Sequence, residues 1–176
     1  MVILITGATH TGKTLLAQRM LETYGWPYLS IDHLKMGLIR SGQTGLTPED
    51  DGALTEYLWP IVREMVKTAV ENRQNLIVEG CYIPFSWRQD FDARYLPSIR
   101  FVCLAMTDAY IDAHFEDILS FGTKIEARLD EALDMEGLKA ENRSTIAGFA
   151  AAGEQVTIID SSYAPAIDAL LEALVI

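Results

Sequence analysis

The sequence is poor in cysteine, in basic residues and in long apolar runs, and each shortage excludes a class of protein. Its 176 residues include two cysteines, so disulfides cannot be the main support of the fold. The 14 Lys and Arg stand against 25 Asp and Glu, and this net charge of −11 disfavours nucleic acid as a partner. No apolar stretch approaches the ~20 residues of a membrane helix, and Val2–Ile5 is too short for a signal peptide. We therefore expect one domain, residues 1–176, in a reducing cytoplasm and away from membranes.

The sequence does contain a regular alternation of short apolar runs and helical segments. Apolar runs predict five buried strands, at Val2–Thr6, Tyr28–Ser30, Asn75–Val78, Ile99–Met106 and Val156–Ile159. The segments between and after them predict helices, at Lys13–Thr23, His33–Arg40, Thr47 to about Asn72, Ser86–Tyr95, 108–152 and Pro165–Val175. This order is typical of an α/β fold with a five-stranded parallel sheet and helices on both of its faces.

Several finer expectations concern burial and loops. The apolar runs around Cys81 and Cys103 predict two buried thiols, and the aromatic residues Tyr57, Trp59 and Phe85 are expected in the core. Ser41–Leu46 contains two glycines and no apolar periodicity, which indicates a flexible loop, and a break is expected in 108–152 at Ser120–Thr123. The long helix after the Thr47 cap should bury six residues: Leu54, Leu58, Ile61, Val62, Met65 and Val66.

The strongest motif follows the first strand, where GATHTGKT matches G-x-x-x-x-G-K-[ST], the phosphate-binding P-loop or Walker A motif. Glycines allow the backbone to turn its N–H groups inward around a phosphate, and a lysine there neutralises the β- and γ-phosphates. The preceding strand and the following helix supply the required context. The motif predicts binding of ATP, with Thr14 as the Mg²⁺ ligand and Lys13 as a catalytic cation. The predicted nucleotide contacts are Gly7, Thr9, His10, Thr11, Gly12, Lys13, Thr14 and Leu15.

Asp32 follows the second predicted strand, at the sheet edge where ligands gather in open parallel sheets. Its carboxylate there would accept the proton of an attacking hydroxyl, or hold a metal or substrate. The structural alternative is an N-cap for the helix that begins at His33. We assign the chemistry to Asp32 and interpret His33 as a solvated or packing residue.

Glu79 and Gly80 end the third predicted strand. Glutamate extends one carbon further than the aspartate usual at this position, so its expected target is substrate rather than metal. Gly80 would allow a ligand to approach the backbone. The structural alternative is a carboxylate that caps the sheet edge.

Basic residues are scarce, so their positions are informative. Phosphoryl transfer needs cations around the moving charge, and arginines of a mobile segment often supply them. Each cation taken singly could equally be a solvated surface charge, but we expect one or two to face phosphates, and Arg128 is the first choice as a catalytic residue. The six candidates are Lys35, Arg40, Arg88, Lys124, Arg128 and Arg143.

Four stretches together, GATHTGKT, SIDHLK, VEG and the helical region after the fourth strand, resemble the nucleoside monophosphate kinase superfamily. That group includes adenylate, shikimate and gluconate kinases, chloramphenicol phosphotransferase and zeta-toxin-like kinases. The resemblance implies a three-layer P-loop fold, an acceptor-binding region at 32–75 and a helical lid at 108–152. It also implies that Lys35 lies where related kinases grip an acceptor phosphate, and that 160–162 borders the adenine.

The sequence departs from this pattern after the third strand, where it has Glu79-Gly80-Cys81-Tyr82-Ile83-Pro84 instead of D-G-[FY]-P-R. The departure favours a metabolite kinase, similar to 2-phosphoglycerate kinase-like proteins, over a nucleoside monophosphate kinase. The expected substrate contacts are Asp32, Lys35, Arg40, Glu79, Gly80 and Arg88. The sequence thus predicts an ATP- and Mg²⁺-dependent small-molecule kinase. A nucleoside monophosphate kinase and a nucleotide-binding switch without transferase activity are the alternatives.

Overall fold

The computed structural model describes residues 1–122 and 134–174, and the side chains of 121 and 122 are left aside. Short 3₁₀ turns at Trp87–Asp90 and Leu96–Ser98 supplement the main elements. In chain order the main elements are β1 Val2–Gly7, α1 Lys13–Tyr24, β2 Tyr28–Ser30, α2 Ile31–Arg40, α3 Asp51–Glu71, β3 Leu76–Glu79, β4 Ile99–Met106, α4 Asp108–Gly122, α5 Met135–Ala151, β5 Thr157–Ile159 and α6 Tyr163–Ala173.

The five strands form one parallel sheet in the order β2-β3-β1-β4-β5, with helices around it. Residue Ile5 of β1 pairs with Glu79 of β3, and Glu79 pairs in turn with Ser30 of β2. The carboxyl ends of these three strands therefore share one edge of the sheet. The predicted α/β class and five-stranded parallel sheet are confirmed. None of the described helices has both the length and the apolar character needed to cross a bilayer.

The chain divides into two compact units. The first unit comprises Met1–Thr6 and Ala17–Phe101, and the second comprises Gly7–Leu16 with the described part of Val102–Ile176. We call them the acceptor unit and the nucleotide unit, after the motifs that each contains. In the sequence, the Asp32 and Glu79 regions belong to the acceptor unit and the P-loop belongs to the nucleotide unit.

An aromatic cluster forms part of the core of the acceptor unit. The Trp87 ring stacks on Phe101 with 5.1 Å between centroids, and Phe91 meets both Trp87 and Trp59 edge-on. The Trp59 indole also donates a 2.7 Å hydrogen bond to Asp90. This cluster explains the local structure after β3, since the predicted helix Ser86–Tyr95 is instead a 3₁₀ turn that buries Trp87.

The nucleotide unit packs α4 and α5 against the ends of β4 and β5. Its buried cluster consists of Met106, Tyr110, Ile111, Ile118, Leu138 and Ile159. Fully buried Asn142 joins α5 to the sheet, because its amide oxygen accepts from the Met106 N–H at 2.7 Å and its amide nitrogen donates to the Leu138 carbonyl. The hydrogen bond from Met106 to Asn142 therefore fixes α5 to β4.

Four sequence expectations about local structure were wrong. Cys81 is exposed, whereas Cys103 is buried, because β3 ends at Glu79 and Cys81 lies beyond it. Phe85 is 45% exposed and Met65 is 39% exposed, so both lie outside the core. Helix α3 begins at Asp51, not directly after Thr47, because the Thr47 N–H and hydroxyl both donate to the Asp50 carboxylate in the preceding turn.

The predicted helical region 108–152 contains α4 and α5 within the described residues. The expected break at Ser120–Thr123 lies at the end of α4, and Thr123 itself lies outside the described residues. A deviation inside α4 occurs earlier, at His114, whose φ of −126° is not helical.

Candidate functional site

The loop between β1 and α1 has the backbone form that a phosphate-binding nest requires. Gly7, His10 and Gly12 adopt positive φ angles of 144°, 61° and 81°. Left-handed residues alternating with right-handed ones turn successive N–H groups toward one side of the chain. A histidine in this conformation is uncommon, because a side chain there carries a steric cost that glycine avoids.

Close packing explains why two of these positions are glycine. A Cβ atom at Gly7 would overlap the backbone carbonyl of Leu104, and one at Gly12 would overlap the hydroxyl and ring of Tyr163. The Tyr163 hydroxyl donates to the Gly12 carbonyl at 3.2 Å from the first turn of α6. The loop is thus packed against the Leu104 backbone and the Tyr163 side chain of its own unit.

The Ala8 carbonyl organises the interior of the loop. It accepts hydrogen bonds from the Thr11 N–H at 3.4 Å, the Thr11 hydroxyl at 2.8 Å and the Lys13 ammonium at 2.8 Å. Lys13 is 6% exposed, so its charge is held inside the loop rather than spread into solvent. The positive end of a helix dipole adds to this charge, since α1 begins at Lys13.

One P-loop amide already binds an anionic oxygen. The Thr9 N–H donates to the carboxylate of Glu141, on α5, at 2.7 Å. The bond demonstrates that an N–H of this loop is directed at an acceptor outside the loop. It also places a negative charge beside the predicted phosphate site.

The loop suits a magnesium-bound triphosphate on these grounds. Packing against Leu104 and Tyr163 excludes a Cβ at Gly7 and Gly12, and a buried cation and a helix N-terminus supply positive potential. Thr14, in the first turn of α1, is the residue that would hold Mg²⁺ through its hydroxyl. Among residues 1–122 and 134–174 no group of three His, Cys, Asp or Glu side chains forms a metal site. A bound metal would therefore depend on phosphate oxygens as well as Thr14.

In the acceptor unit, Asp32 lies in the first turn of α2, which begins two residues earlier than expected, at Ile31. Ser30 occupies the N-cap position without a side-chain cap hydrogen bond, so Asp32 is not the N-cap. The Asp32 carboxylate instead meets the Lys35 ammonium at 2.8 Å, and its side chain remains 26% exposed. It is partly open to solvent, and the ion pair holds it in one orientation.

Lys35 belongs to a continuous chain of polar contacts. Its ammonium donates to the Tyr82 hydroxyl at 2.9 Å and lies 5.0 Å from the centre of the Tyr82 ring. The Tyr82 hydroxyl donates onward to Asp51, at the start of α3, at 3.1 Å. We call Asp32, Lys35, Tyr82 and Asp51 the acceptor network. It joins α2, the segment after β3 and α3.

The network fixes the protonation states of its two central members. Burial lowers the pKa of Lys35, but the hydrogen bonds to Asp32 and Tyr82 outweigh burial and raise it above the ordinary value. Burial is the main cause that raises the pKa of Tyr82 to about 12, with Lys35 acting against it. At neutral pH Lys35 is therefore a cation and Tyr82 a neutral phenol. Neither can serve as the base in this state.

Glu79 and Gly80 lie at the end of β3. Glu79 is 1% exposed, and the Gly80 N–H donates to the Ile5 carbonyl at 3.1 Å. Gly80 has a φ of 156°, and a Cβ there would lie 2.8 Å from the Cβ of Ile31. A residue with a side chain at this position would displace Ile31, the residue immediately before Asp32.

The other predicted residues are spread more widely. Arg40 is exposed at the far end of α2. Exposed Arg88 lies over the Trp87 ring at 4.7 Å, and His33 is exposed on α2. Arg143 on α5 meets Asp108 at 3.5 Å. Arg128 and Lys124 lie outside the described residues, so the preferred catalytic arginine stays a prediction. Leu15 is half-buried in α1, and the predicted adenine border 160–162 is an exposed segment before α6.

Four residues of these two groups were missed by the sequence interpretation: Tyr82, Asp51, Glu141 and Tyr163. Tyr82 follows the VEG stretch directly and could have been found as the polar aromatic residue nearest to Glu79. Asp51 lies within the helix predicted from Thr47 and was given no role. Glu141 and Tyr163 contact the P-loop from 132 and 151 residues away, and no local pattern indicates such a contact.

Comparison with known proteins gives structural matches alone. No protein-family model matches the sequence, and no curated protein matches it significantly. A sugar kinase from Janibacter sp. HTCC2649 is similar in structure, with a TM-score of 0.54 and 16% identity over 97% of this chain and 92% of that one. Shikimate kinase from Aquifex aeolicus gives 0.53 and 14%, over 99% and 96%. Shikimate kinase from Bacteroides thetaiotaomicron gives 0.54 and 15%, over 98% and 97%.

At 14–16% identity this similarity establishes the fold and leaves the activity open. The matches cover nearly the whole of this chain and of each neighbour. Together with the sheet order and the loop geometry, they lead to one conclusion. The protein has the fold of the P-loop small-molecule kinases.

Proposed function

We propose that the protein is an ATP-dependent kinase that phosphorylates a hydroxyl group of a small molecule. The observation that carries the proposal is the P-loop: three positive φ angles, two glycines that no larger residue can replace without overlap, and a buried lysine. The fold shared with sugar and shikimate kinases supports it. A cytoplasmic location remains an expectation.

In the proposed reaction, the acceptor hydroxyl oxygen forms a bond to the γ-phosphorus of ATP. The bond between that phosphorus and the β–γ bridging oxygen breaks, and ADP leaves with the electron pair. The hydroxyl proton passes to the Asp32 carboxylate, which is partly exposed and oriented by Lys35. The products are the phosphate ester, ADP and a proton that Asp32 later releases to solvent.

The P-loop residues act on the nucleotide. The N–H groups of the loop and the first turn of α1 would bind the β- and γ-phosphate oxygens, and Lys13 would leave the Ala8 carbonyl to offset their charge. A Mg²⁺ ion on Thr14 would supply further neutralisation of the phosphates. Since water competes with the acceptor for the γ-phosphoryl group, the helices after β4 are expected to exclude it.

The proposal is tested by Asp32→Asn, with ADP formation measured in the presence and absence of acceptors. The neutral amide cannot take the proton, so acceptor-dependent turnover should fall ~10²–10⁴-fold. Affinity for MgATP, measured by calorimetry, should change little. Asp92→Asn is the matched control, because Asp92 is an exposed carboxylate of the same unit that pairs with Arg94.

The acceptor panel should contain nucleoside monophosphates as well as hydroxyl metabolites, so that both kinds of kinase are tested. Full turnover in Asp32→Asn would reduce Asp32 to a structural residue. Tight ATP binding with no acceptor in a broad panel would favour a nucleotide-binding switch over a kinase.

A further inference from the structure

We infer that the acceptor is an uncharged hydroxyl compound, such as a polyol or a sugar, and that Lys35, Tyr82 and Asp51 exclude acceptors with a carboxylate or phosphate group. The inference rests on the proposed function, and it overturns the expected role of Lys35 as a grip for an acceptor phosphate. It follows from how the acceptor network distributes its charges and hydrogen bonds.

Lys35 is committed to partners within the protein. Its side chain is 12% exposed, and its ammonium already contacts the Asp32 carboxylate at 2.8 Å and the Tyr82 hydroxyl at 2.9 Å. An acceptor carboxylate or phosphate could bind Lys35 only by displacing Asp32. The displaced Asp32 charge would then lack its counter-ion, and an ionised group that loses its partner in a partly buried site is strongly disfavoured.

Asp51 makes the network negative overall. Its carboxylate accepts from the Tyr82 hydroxyl, so the network holds two carboxylates, one ammonium and one neutral phenol. The sum is one negative charge. A second anion brought close to this net negative charge would be repelled.

Several other cations of the acceptor unit lie far along α2 from Asp32 or pair with other carboxylates. Arg40 lies eight residues further along α2, or ~12 Å along the helix axis at 1.5 Å per residue. Arg63 and Lys67 meet Glu64, and Arg94 meets Asp92, so these cations are also paired. Lys35, in contrast, contacts Asp32 directly at 2.8 Å.

An uncharged hydroxyl compound meets none of these obstacles. Its reacting hydroxyl can donate to Asp32 while the ion pair with Lys35 remains in place. A carboxylate accepts several hydrogen bonds at once, so Asp32 can hold both partners. The exposed Asp51 carboxylate offers acceptor sites to further hydroxyl groups of the same molecule.

The test uses acceptor pairs that differ in one anionic group: an aldose with its aldonic acid, a polyol with its phosphate ester, and a nucleoside with its monophosphate. The measured quantity is kcat/KM for ADP formation by the full-length protein at fixed MgATP. We expect the uncharged member of the productive pair to be favoured at least ~10-fold over its anionic partner. High salt should narrow this ratio, because the discrimination is electrostatic.

Two variants test whether the acceptor network causes the preference for uncharged acceptors. Asp51→Asn removes one negative charge while its amide oxygen can still accept from Tyr82, so the ratio should move ~3–10-fold toward the anionic acceptor. Lys35→Met removes the positive charge and should move the ratio the other way. Asp92→Asn and Arg100→Met are controls that make the same charge changes at exposed positions, and they should leave the ratio unchanged.

The possible outcomes distinguish a failure of the inferred acceptor preference from a failure of the proposed kinase function. A preference for the anionic member that is lost in Lys35→Met would overturn the inference, because Lys35 would then bind the anionic group of the acceptor. The proposed kinase function would stand in that case. Equal use of both members, or no response to Asp51→Asn, would also overturn the inference. Absence of transfer to every compound, with MgATP bound, would overturn the proposed function and the inference with it.

Discussion

Gly7 and Gly80 lie at the carboxyl ends of the neighbouring parallel strands β1 and β3, and the atoms that surround them differ. Gly7 ends β1 and faces the backbone carbonyl of Leu104, whereas Gly80 follows β3 and faces the side chain of Ile31. In the nucleotide unit, the loop after the glycine is organised by main-chain groups, above all the Ala8 carbonyl. In the acceptor unit, the equivalent region is organised by side chains, from Asp32 through Lys35 and Tyr82 to Asp51.

The difference separates a general function from a specific one. Every nucleoside triphosphate presents the same phosphates, and backbone N–H groups in a fixed conformation suffice to bind them. Acceptors differ in charge and in the positions of their hydroxyl groups, and side chains are needed to distinguish them. Substitutions in the nucleotide unit should therefore affect folding and nucleotide binding, and those in the acceptor unit should affect acceptor choice.

The largest effect is expected from the two glycines themselves. In Gly7→Ala the new Cβ overlaps a backbone carbonyl that cannot move, so the variant should not unfold cooperatively on heating. In Gly80→Ala the new Cβ meets a side chain, so the loss of stability should be ~1–3 kcal/mol. Thermal unfolding by circular dichroism compares them. Equal melting temperatures for the two variants would contradict the distinction between backbone and side-chain packing.

The P-loop motif of the nucleotide unit is visible in the sequence because its requirements are local. Glycines at positions 7 and 12, Lys13 and Thr14 lie within eight residues of each other, and the sheet follows from five apolar runs. The acceptor network was harder to predict, because Tyr82 lies 47 residues from Lys35 and 31 from Asp51. The sequence placed Asp32 after β2 and, through the family resemblance, Lys35 at an acceptor phosphate, but it did not indicate their mutual contact.

Burial after β3 was hard to predict for a related reason. Cys81 and Phe85 lie beside apolar residues in the sequence, yet both are exposed, because the strand ends at Glu79 and the aromatic core is formed by Trp87 and Phe91. An apolar run indicates burial only while the strand continues. Where the chain leaves the sheet, tertiary packing decides which side chains are covered.

A smaller effect is expected at Glu141, whose side chain contacts the P-loop, a loop that is otherwise organised by main-chain groups. Its carboxylate accepts from the Thr9 N–H and adds a negative charge beside the phosphate site. Glu141→Gln can keep the hydrogen bond without the charge, so MgATP should bind ~3–10-fold more tightly in calorimetry. Glu116→Gln, an exposed change on α4, is the control. Unchanged or weaker binding would mean that Glu141 supports the loop rather than repels phosphate.

The smallest effect is expected from a change of pH, which tests the acceptor network through the titration of Tyr82. The pKa of Tyr82 is about 12, against an ordinary value of 10.0, chiefly because the phenol is buried. Between pH 10 and 12 the unfolded chain therefore loses a proton that the folded chain keeps, and stability falls as pH rises. The stabilising contribution is complete below pH 10. The melting temperature should fall less between pH 10 and 12 in Tyr82→Phe than in the wild type.

From pH 7 to 9 the melting temperatures of the two proteins should run parallel, since the Tyr82 phenol is protonated in both the folded and the unfolded chain. A parallel decline above pH 10 as well would indicate that Tyr82 is not buried in the acceptor network. In that case Lys35 would lose the partner on which the acceptor preference depends.

The most direct test of the account is calorimetric titration of MgATP into the wild type and Lys13→Met. The wild type should bind one equivalent with measurable heat. The variant should bind ~10²-fold more weakly or not at all, because the buried ammonium that offsets the phosphate charge is gone. Lys67→Met, at a surface ion pair with Glu64, should bind like the wild type. No heat with the wild type, or equal affinity in Lys13→Met, would contradict the assignment of the loop as a nucleotide site.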